Sequence, residues 1–339
     1  MSPFERLFDL VAQVIGQAAA HWLETHVEVP AGLQTFTWDA DSLHRAWLAE
    51  ALNLCLFHKL VEAVPDARTY VEEQRAAGRQ VLFDHGALRT VDWPENGALP
   101  RGRQAFARLL EPLGFTDVRT YPLTRLNMTG WAYRQQDLPE GIAQFFVSEL
   151  HPGRFSDSFQ AAVTRVVGNS RDALQAEHLA ILQTLRRSRH CNPMAARVLL
   201  PALCQAFDCQ HGPANEGDYR LLLDESAEMA WIASEGNRFN HLTDRVADLE
   251  AVVAAQHTLG RPLKAQVEVS ASGRVRQTAL RAVTVQRPLL DAEGVARTHG
   301  LPGSFVEFIQ RELDPTTGHI DLNFDSGNAQ GIFKMTDAR

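Results

Sequence analysis

Two histidines and one glutamate stand where strand geometry would turn them toward a common side. In Phe83-Asp-His-Gly-Ala-Leu-Arg-Thr-Val, a segment rich in strand formers, His85, Ala87 and Arg89 share one face, because strand side chains alternate with period two. His241, Thr243 and Arg245 do the same in Phe239-Asn-His-Leu-Thr-Asp-Arg, as do Glu307, Ile309 and Arg311 in Phe305-Val-Glu-Phe-Ile-Gln-Arg. Two imidazoles and one carboxylate on separate strands make the facial triad that suits non-haem Fe(II), with about three coordination positions left open. Glu307 lies among Phe305, Val306, Phe308 and Ile309. Burying an unpaired carboxylate there costs several kcal/mol, so it either meets a cation or hydrogen-bond partner or faces water while its neighbours fill the core.

Other residues extend this chemistry. At ~3.3 Å per residue the Arg89 Cα lies about 13 Å along the strand from that of His85. A metal-bound oxo acid of five or six carbons and the long guanidinium side chain together span that gap, and a bidentate contact contributes about 1.5 to 3 kcal/mol. The competing role for Arg89 and Arg245 is pairing with Asp84 or Asp244. Gln277 and Thr278 offer hydrogen bonds to a substrate or to the structure. Glu149 occupies a place comparable to Glu307 and ranks below it as an alternative ligand. Cys204-x4-Cys209-x-His211 lacks a fourth zinc ligand at a normal spacing and reads as a helix-end cluster. Walker A, Gly-x-Gly-x-x-Gly, Gly-x-Ser-x-Gly and His-Glu-x-x-His patterns are absent, so nucleotide, dinucleotide, serine-hydrolase and zincin chemistries have no sequence support.

The elements that must position these residues follow from periodicity. Residues 4 to 76 show helical spacing, with Leu43, Trp47, Leu48, Ala51, Leu54 and Cys55 on one stretch. From Gly78 the pattern changes to a strand, a helix over 103 to 110, strands near 117 to 126 and 130 to 134, and an apolar segment over 142 to 150. Residues 153 to 210 return to helical spacing. The second unit then repeats the first: His85 to His241 and Arg89 to Arg245 are both offset by 156 residues. A helix near 248 to 257, strands near 267 to 269 and 277 to 285, and a last apolar segment over 304 to 311 complete it. The expected divisions are an N-terminal helical region (1–76), a first metal-binding module (77–152), a helical insert (153–215) and a second module with a C-terminal loop (216–339).

Composition bounds the rest. The 339 residues carry 33 Lys+Arg against 41 Asp+Glu, a net charge of -8, which argues against a general nucleic-acid binder. No apolar run reaches the ~18 to 20 residues of a membrane span. Glu5 and Asp9 fall where a signal peptide needs a basic and then an apolar stretch, and four cysteines are too few for a disulfide-stapled domain, so a cytoplasmic protein is expected.

Phe83-Asp-His-Gly-Ala-Leu-Arg, Asn240-His-Leu-Thr-Asp-Arg, Arg276-Gln-Thr and Phe305-Val-Glu-Phe-Ile-Gln-Arg, in that order, resemble the motifs of the 2-oxoadipate dioxygenase/decarboxylase family over residues 78 to 311. That family is a divergent relative of the vicinal oxygen chelate superfamily, whose β-α-β-β-β modules pair to enclose a metal. The chain's end is also similar to 4-hydroxyphenylpyruvate dioxygenase, with Glu307 before Ile309-Gln310-Arg311 and a Gly-x-Phe-Lys segment over residues 331 to 334. The resemblance implies an α+β fold of two such modules forming a metal-enclosing curved sheet, with N-terminal helices and a helical insert. It implies His85, His241 and Glu307 as Fe(2+) ligands, Arg89 as the substrate-carboxylate anchor and Phe333 as a wall of the pocket. The implied reaction converts 2-oxoadipate and O2 to 2-hydroxyglutarate and CO2, with the 2-oxo acid and O2 as partners. The chain departs from the long family members in lacking most of their C-terminal helical extension, so substrate contacts from that extension have no counterpart. A Zn or Ni isomerase or lyase of glyoxalase type, and a binding protein without turnover, are the alternatives on the same scaffold.

Overall fold

The computed structural model describes residues 1–325. Helices α1 (Pro3–Ile15) and α2 (Gln17–His26) open the chain. Ser2 and Glu5 form a capping box at α1, and Pro3 takes the first turn, where its missing N–H costs nothing. The short strand β1 (Leu43–His44) leads into α3 (Arg45–Ala63) and α4 (Pro65–Ala76). Every residue of α3 from Arg45 to Phe57 is buried, the mark of a helix enclosed on all sides. It touches α1 and α4 and backs onto the central sheet.

The next elements are β2 (Phe83–Val91), α5 (Gln104–Leu110), β3 (Phe115–Leu123), β4 (Met128–Gln135) and β5 (Gln144–Leu150). After them come α6 (Asp157–Val167), α7 (Ala176–Ser188), β6 (His190–Cys191), α8 (Pro193–Ala206), α9 (Glu216–Glu225) and α10 (Ala227–Glu235). The chain continues through β7 (Phe239–Arg245), α11 (Leu249–Thr258), β8 (Glu268–Val269), β9 (Val275–Ala279), β10 (Thr284–Leu290), β11 (Ala296–Pro302) and β12 (Phe305–Arg311).

Eight strands form one curled, half-barrel sheet in the order β3-β4-β5-β2-β7-β12-β9-β8. Its two halves repeat one plan. In the first, β2 lies parallel to β5, followed by β4 and β3; in the second, β7 lies parallel to β12, followed by β9 and β8. The seam is the antiparallel pair β2–β7, so the first strand of each β-α-β-β-β unit meets its counterpart at the centre. One face of the sheet carries Leu88, Phe145, Val147, Phe239, Leu242, Val306 and Phe308 into the core shared with α1, α3 and α8. The alternate residues line the concave face.

The seam is irregular at two places. Two steps on β2, Phe83 to His85, oppose one step on β7, Asp244 to Thr243, which makes Asp84 a bulge residue. One step on β2, Ala87 to Leu88, opposes two on β7, His241 to Phe239, which does the same for Asn240. Both bulges immediately precede the histidines, at the 156-residue offset of the repeat.

Two stretches differ from the sequence expectation. The strand expected over 277 to 285 ends at Ala279, and Thr284 begins a separate antiparallel hairpin, β10–β11, running in register from Thr284↔Pro302 to Leu290↔Ala296. The break arises because the connecting segment bonds elsewhere: Leu280 N–H donates to Val306 O and Val283 N–H to Ser304 O. Glu216–Glu225 and Ala227–Glu235, to which the sequence reading assigns no element, form two helices capped by Asn215 and Ser226, while the first strand of the second unit begins at Phe239, where it is expected.

The core behind the seam leaves no room at Gly86. A Cβ there would lie 2.3 Å from the ring of Phe239, which packs in turn on Phe145 and Phe207. Gly86→Ala is therefore expected to lower unfolding stability by about 1–3 kcal/mol, read from the denaturant midpoint. An unchanged midpoint would show that the seam tolerates separation.

Candidate metal centre

His85 on β2, His241 on β7 and Glu307 on β12 project from three adjacent strands into one cavity on the concave face. All three are buried, and each offers a ligand atom within 4.8 Å of the other two. Glu307 Oε2 lies 3.1 Å from His241 Nε2 and 3.9 Å from His85 Nε2. Ligands held about 2.1 Å from one ion stand roughly 3 to 4 Å apart, so this spacing fits a single divalent cation. Glu307 is only 1% exposed, and its Oε1 has no hydrogen-bond partner. A buried carboxylate oxygen left unpaired is costly, and a cation bound here would relieve that cost.

The neighbouring residues prepare the imidazoles. Asp84, aimed by its bulge, accepts a hydrogen bond from His85 Nδ1 at 2.8 Å. A carboxylate only accepts, so the proton sits on Nδ1 and the Nε2 lone pair faces the cavity, where Thr243 Oγ1 lies 3.1 Å away. The Asn240 amide lies 2.9 Å from His241 Nδ1 in the matching position. Burial, partly offset by Glu307, pushes His241 below its ordinary value and favours the neutral ring that a metal requires.

Asp84 is itself fully buried. Burial alone would raise it, but Arg311 and Arg245, with His85, hold it well below the usual carboxylate range. Arg311 donates from Nε and Nη2 to both Asp84 oxygens, and Arg245 Nε donates to Oδ2 at 2.6 Å. Of the two roles weighed for Arg245, pairing with Asp84 is the one present. Arg311 Nη1 also donates to the carbonyls of Asp321 and Asn323, both at 2.8 Å. That bond draws the segment 321–325 across the cavity, where the Phe324 ring stands 4.8 Å from His85 and 5.0 Å from Phe146.

Arg89 is fully buried on β2, with its guanidinium 4.8 Å from the Trp231 ring on α10. Burial pushes it down to about 10, and Glu228 on the same helix pulls it up. It lies two residues beyond Ala87, which lines the cavity. Gln277 on β9 lines the cavity too, with Nε2 3.4 Å from Glu268 Oε2. Thr278 points to the opposite face by strand alternation. Phe333 lies outside the described residues; Phe146 and Phe324 are the phenylalanines that wall the cavity among them.

Glu149 is not the counterpart of Glu307. Phe305 pairs with His241 on β12, and Gln144 with His85 on β5, so Phe146 matches Glu307 and Glu149 matches Gln310. Glu149 instead faces the other side, where its Oε2 accepts from Arg103 N–H at 2.6 Å. From the sequence, Asp84 is expected only as a partner for an arginine, and Asn240 and Phe324 have no assigned role. A signal for the first two existed in their identical place before each repeated histidine.

Comparison with known proteins agrees with this architecture. The profile of the 2-oxoadipate dioxygenase/decarboxylase family matches residues 53–322. The chain is 22% identical over 276 residues to the 2-oxoadipate dioxygenase/decarboxylase of Pseudomonas putida, a match covering 75% of this chain and 60% of the relative's length. A crystal structure assigned to the glyoxalase superfamily, from Ralstonia eutropha JMP134, is 47% identical with a TM-score of 0.90, covering 95% of this chain and 99% of that one. The fold is also that of the hydroxyglutarate synthase of Oryza sativa solved in complex with 2-oxoadipate, at 18% identity and a TM-score of 0.65, covering 89% and 96% of the two chains.

The hydrogen bond from His85 to Asp84 yields a direct expectation. Asp84→Asn should weaken divalent-metal binding by about 10- to 100-fold, measured by competition with a chelating indicator, because the His85 ring loses its fixed orientation and basicity. The metal-free protein's circular dichroism serves as the folding control. Unchanged affinity in a folded variant would show that His85 does not bind through an Asp84-oriented ring.

Proposed function

The chain belongs to the 2-oxoadipate dioxygenase/decarboxylase family, and from that membership and the cavity's geometry we propose an Fe(II)-dependent dioxygenase and decarboxylase of a 2-oxo acid. The preferred substrate is 2-oxoadipate, converted with O2 to 2-hydroxyglutarate and CO2. The observation that carries the reading is the buried Glu307 carboxylate, with one oxygen unpaired and the other against His241. A ferrous ion bound by His85, His241 and Glu307 would supply the redox chemistry with O2 and a Lewis-acid contact for the 2-oxo carboxylate.

The protein's own groups then perform the remaining work. Arg89 provides a fixed cation on the strand that carries His85, to which the carboxylate at the far end of a six-carbon dicarboxylate pairs. A longer or shorter chain puts its far carboxylate out of register with that guanidinium, so Arg89 sets substrate length. Gln277 offers its amide to polar atoms of the substrate, and Ser148 adds a hydroxyl to the same lining from β5. Phe146 and Phe324 exclude water from the reacting end, which protects reactive species from side reactions. Asp84, neutralised by two arginines, keeps His85 oriented throughout.

Iron-loaded protein is expected to consume one O2 per CO2 released with 2-oxoadipate. Arg89→Met should raise KM about 10- to 100-fold, as befits a contact of ~1.5 to 3 kcal/mol. Inactivity toward a panel of 2-oxo acids with iron demonstrably bound would sink the proposal. Oxygen-independent turnover with Zn or Ni would replace it with the isomerase or lyase reading.

A further inference from the structure

A second chemically competent pair lies apart from the sheet cavity. Cys209 and His211 line a cleft of about 690 Å³, with Asn169, Arg171 and Asp172 on other parts of its wall. His211 is held at both ring nitrogens by backbone carbonyls: Nδ1 lies 2.8 Å from Gly212 O, and Nε2 lies 3.1 Å from Ile232 O at the end of α10. A carbonyl oxygen only accepts, so making both bonds at once requires hydrogen on both nitrogens, which is the imidazolium form. Cys209 Sγ stands 3.7 and 3.6 Å from the same two nitrogens and 3.5 Å from His211 O, so the thiol form donates to that carbonyl and the thiolate form exchanges this contact for the two ring N–H groups.

The charges around the pair support this assignment. Arg238, itself 3.6 Å from Glu235 Oε2, adds a smaller positive contribution at the thiol. Across the cleft, the charges of Arg171 and Asp172 are opposite, and Asp172 is already bound by Arg108 at 2.7 Å. Burial alone would raise the thiol and lower the imidazole, but their mutual contact leaves Cys209 below and His211 above its ordinary value. Cys209 is partly exposed, whereas Cys55, Cys191 and Cys204 are buried. One flank of Cys209 is closed by Gly236, whose φ of +65° lets its backbone approach so closely that a Cβ there would lie 2.4 Å from Cys209 Cα.

We propose that Cys209 and His211 form a thiolate–imidazolium pair that makes Cys209 a modification site for small soft electrophiles, hydrogen peroxide being the simplest. The thiolate sulfur attacks one peroxide oxygen. An S–O bond forms as the O–O bond breaks, sulfur is oxidised by two electrons while the peroxide is reduced, and the departing hydroxide takes the His211 proton to leave as water. The product is a sulfenic acid beside a neutral imidazole, and the three buried cysteines are shielded from the same reaction.

Iodoacetamide tests the pair directly, since its capture forms an S–C bond, expels iodide and follows the thiolate fraction. The native full-length chain is labelled at pH 6.5 and pH 8.5 and each cysteine is followed by peptide mass spectrometry. Cys209 should react first, with rates at the two pH values within about 3-fold, whereas an ordinary thiol of pKa near 8.5 slows about 50-fold over that interval. His211→Gln should restore the steep profile. A wild-type rate that falls ~50-fold between pH 8.5 and 6.5, or a Cys209 that reacts no faster than the buried cysteines, would overturn the proposal whatever the variant's folding.

Discussion

A carboxylate buried at the centre of a sheet is the constraint around which this structure is organised. Glu307 sits on β12 between hydrophobic neighbours that hold the strand against the helices, so it cannot move to water without breaking the core. Its charge must be answered from within the concave face. The groups that converge on it are two imidazoles, and a cation shared by all three would complete the answer. The curl of the sheet matters because it brings three adjacent strands around one point, which a flat sheet would not do.

The duplicated plan explains how the histidines reach that point. Each unit begins with a strand that carries a histidine, and the two strands pair at the seam. A bulge before each histidine shifts a polar residue out of strict alternation and onto the ring behind it. In the first unit that residue is Asp84, in the second Asn240. The difference has a physical consequence: Asp84 brings a buried charge and needs Arg245 and Arg311, whereas a neutral Asn240 needs no counter-ion. Arg311 thereby joins the orientation of His85 to the placement of Phe324, since one guanidinium holds Asp84 and the segment that crosses the cavity.

Much of this was legible in the sequence, and the failures have physical causes. The period-two faces and the 156-residue offset pointed to His85, His241 and Glu307 before any geometry was known, and the structure brings them together. Arg89 shares a strand with His85, and the structure sets its guanidinium against Trp231 beyond the residues that line the cavity. Glu149 was misjudged because its equivalence with Glu307 was read from position in the unit, while strand register, set by pairing, puts Phe146 there. The bulges at Asp84 and Asn240 could not be seen, because a bulge is a property of two paired strands and not of one. The β10–β11 hairpin was merged with β9 because a continuous run of strand formers hides the point where the partner changes.

The central claim is that one metal ion sits among His85, His241 and Glu307. An anomalous difference map at the iron absorption edge, from crystals of the iron-loaded protein, tests it most directly. The account requires a single strong peak within about 2.0 to 2.2 Å of His85 Nε2, His241 Nε2 and a Glu307 carboxylate oxygen. A peak instead among Asp92, Glu149 and His151, the other group of candidate ligands among the described residues, would contradict it.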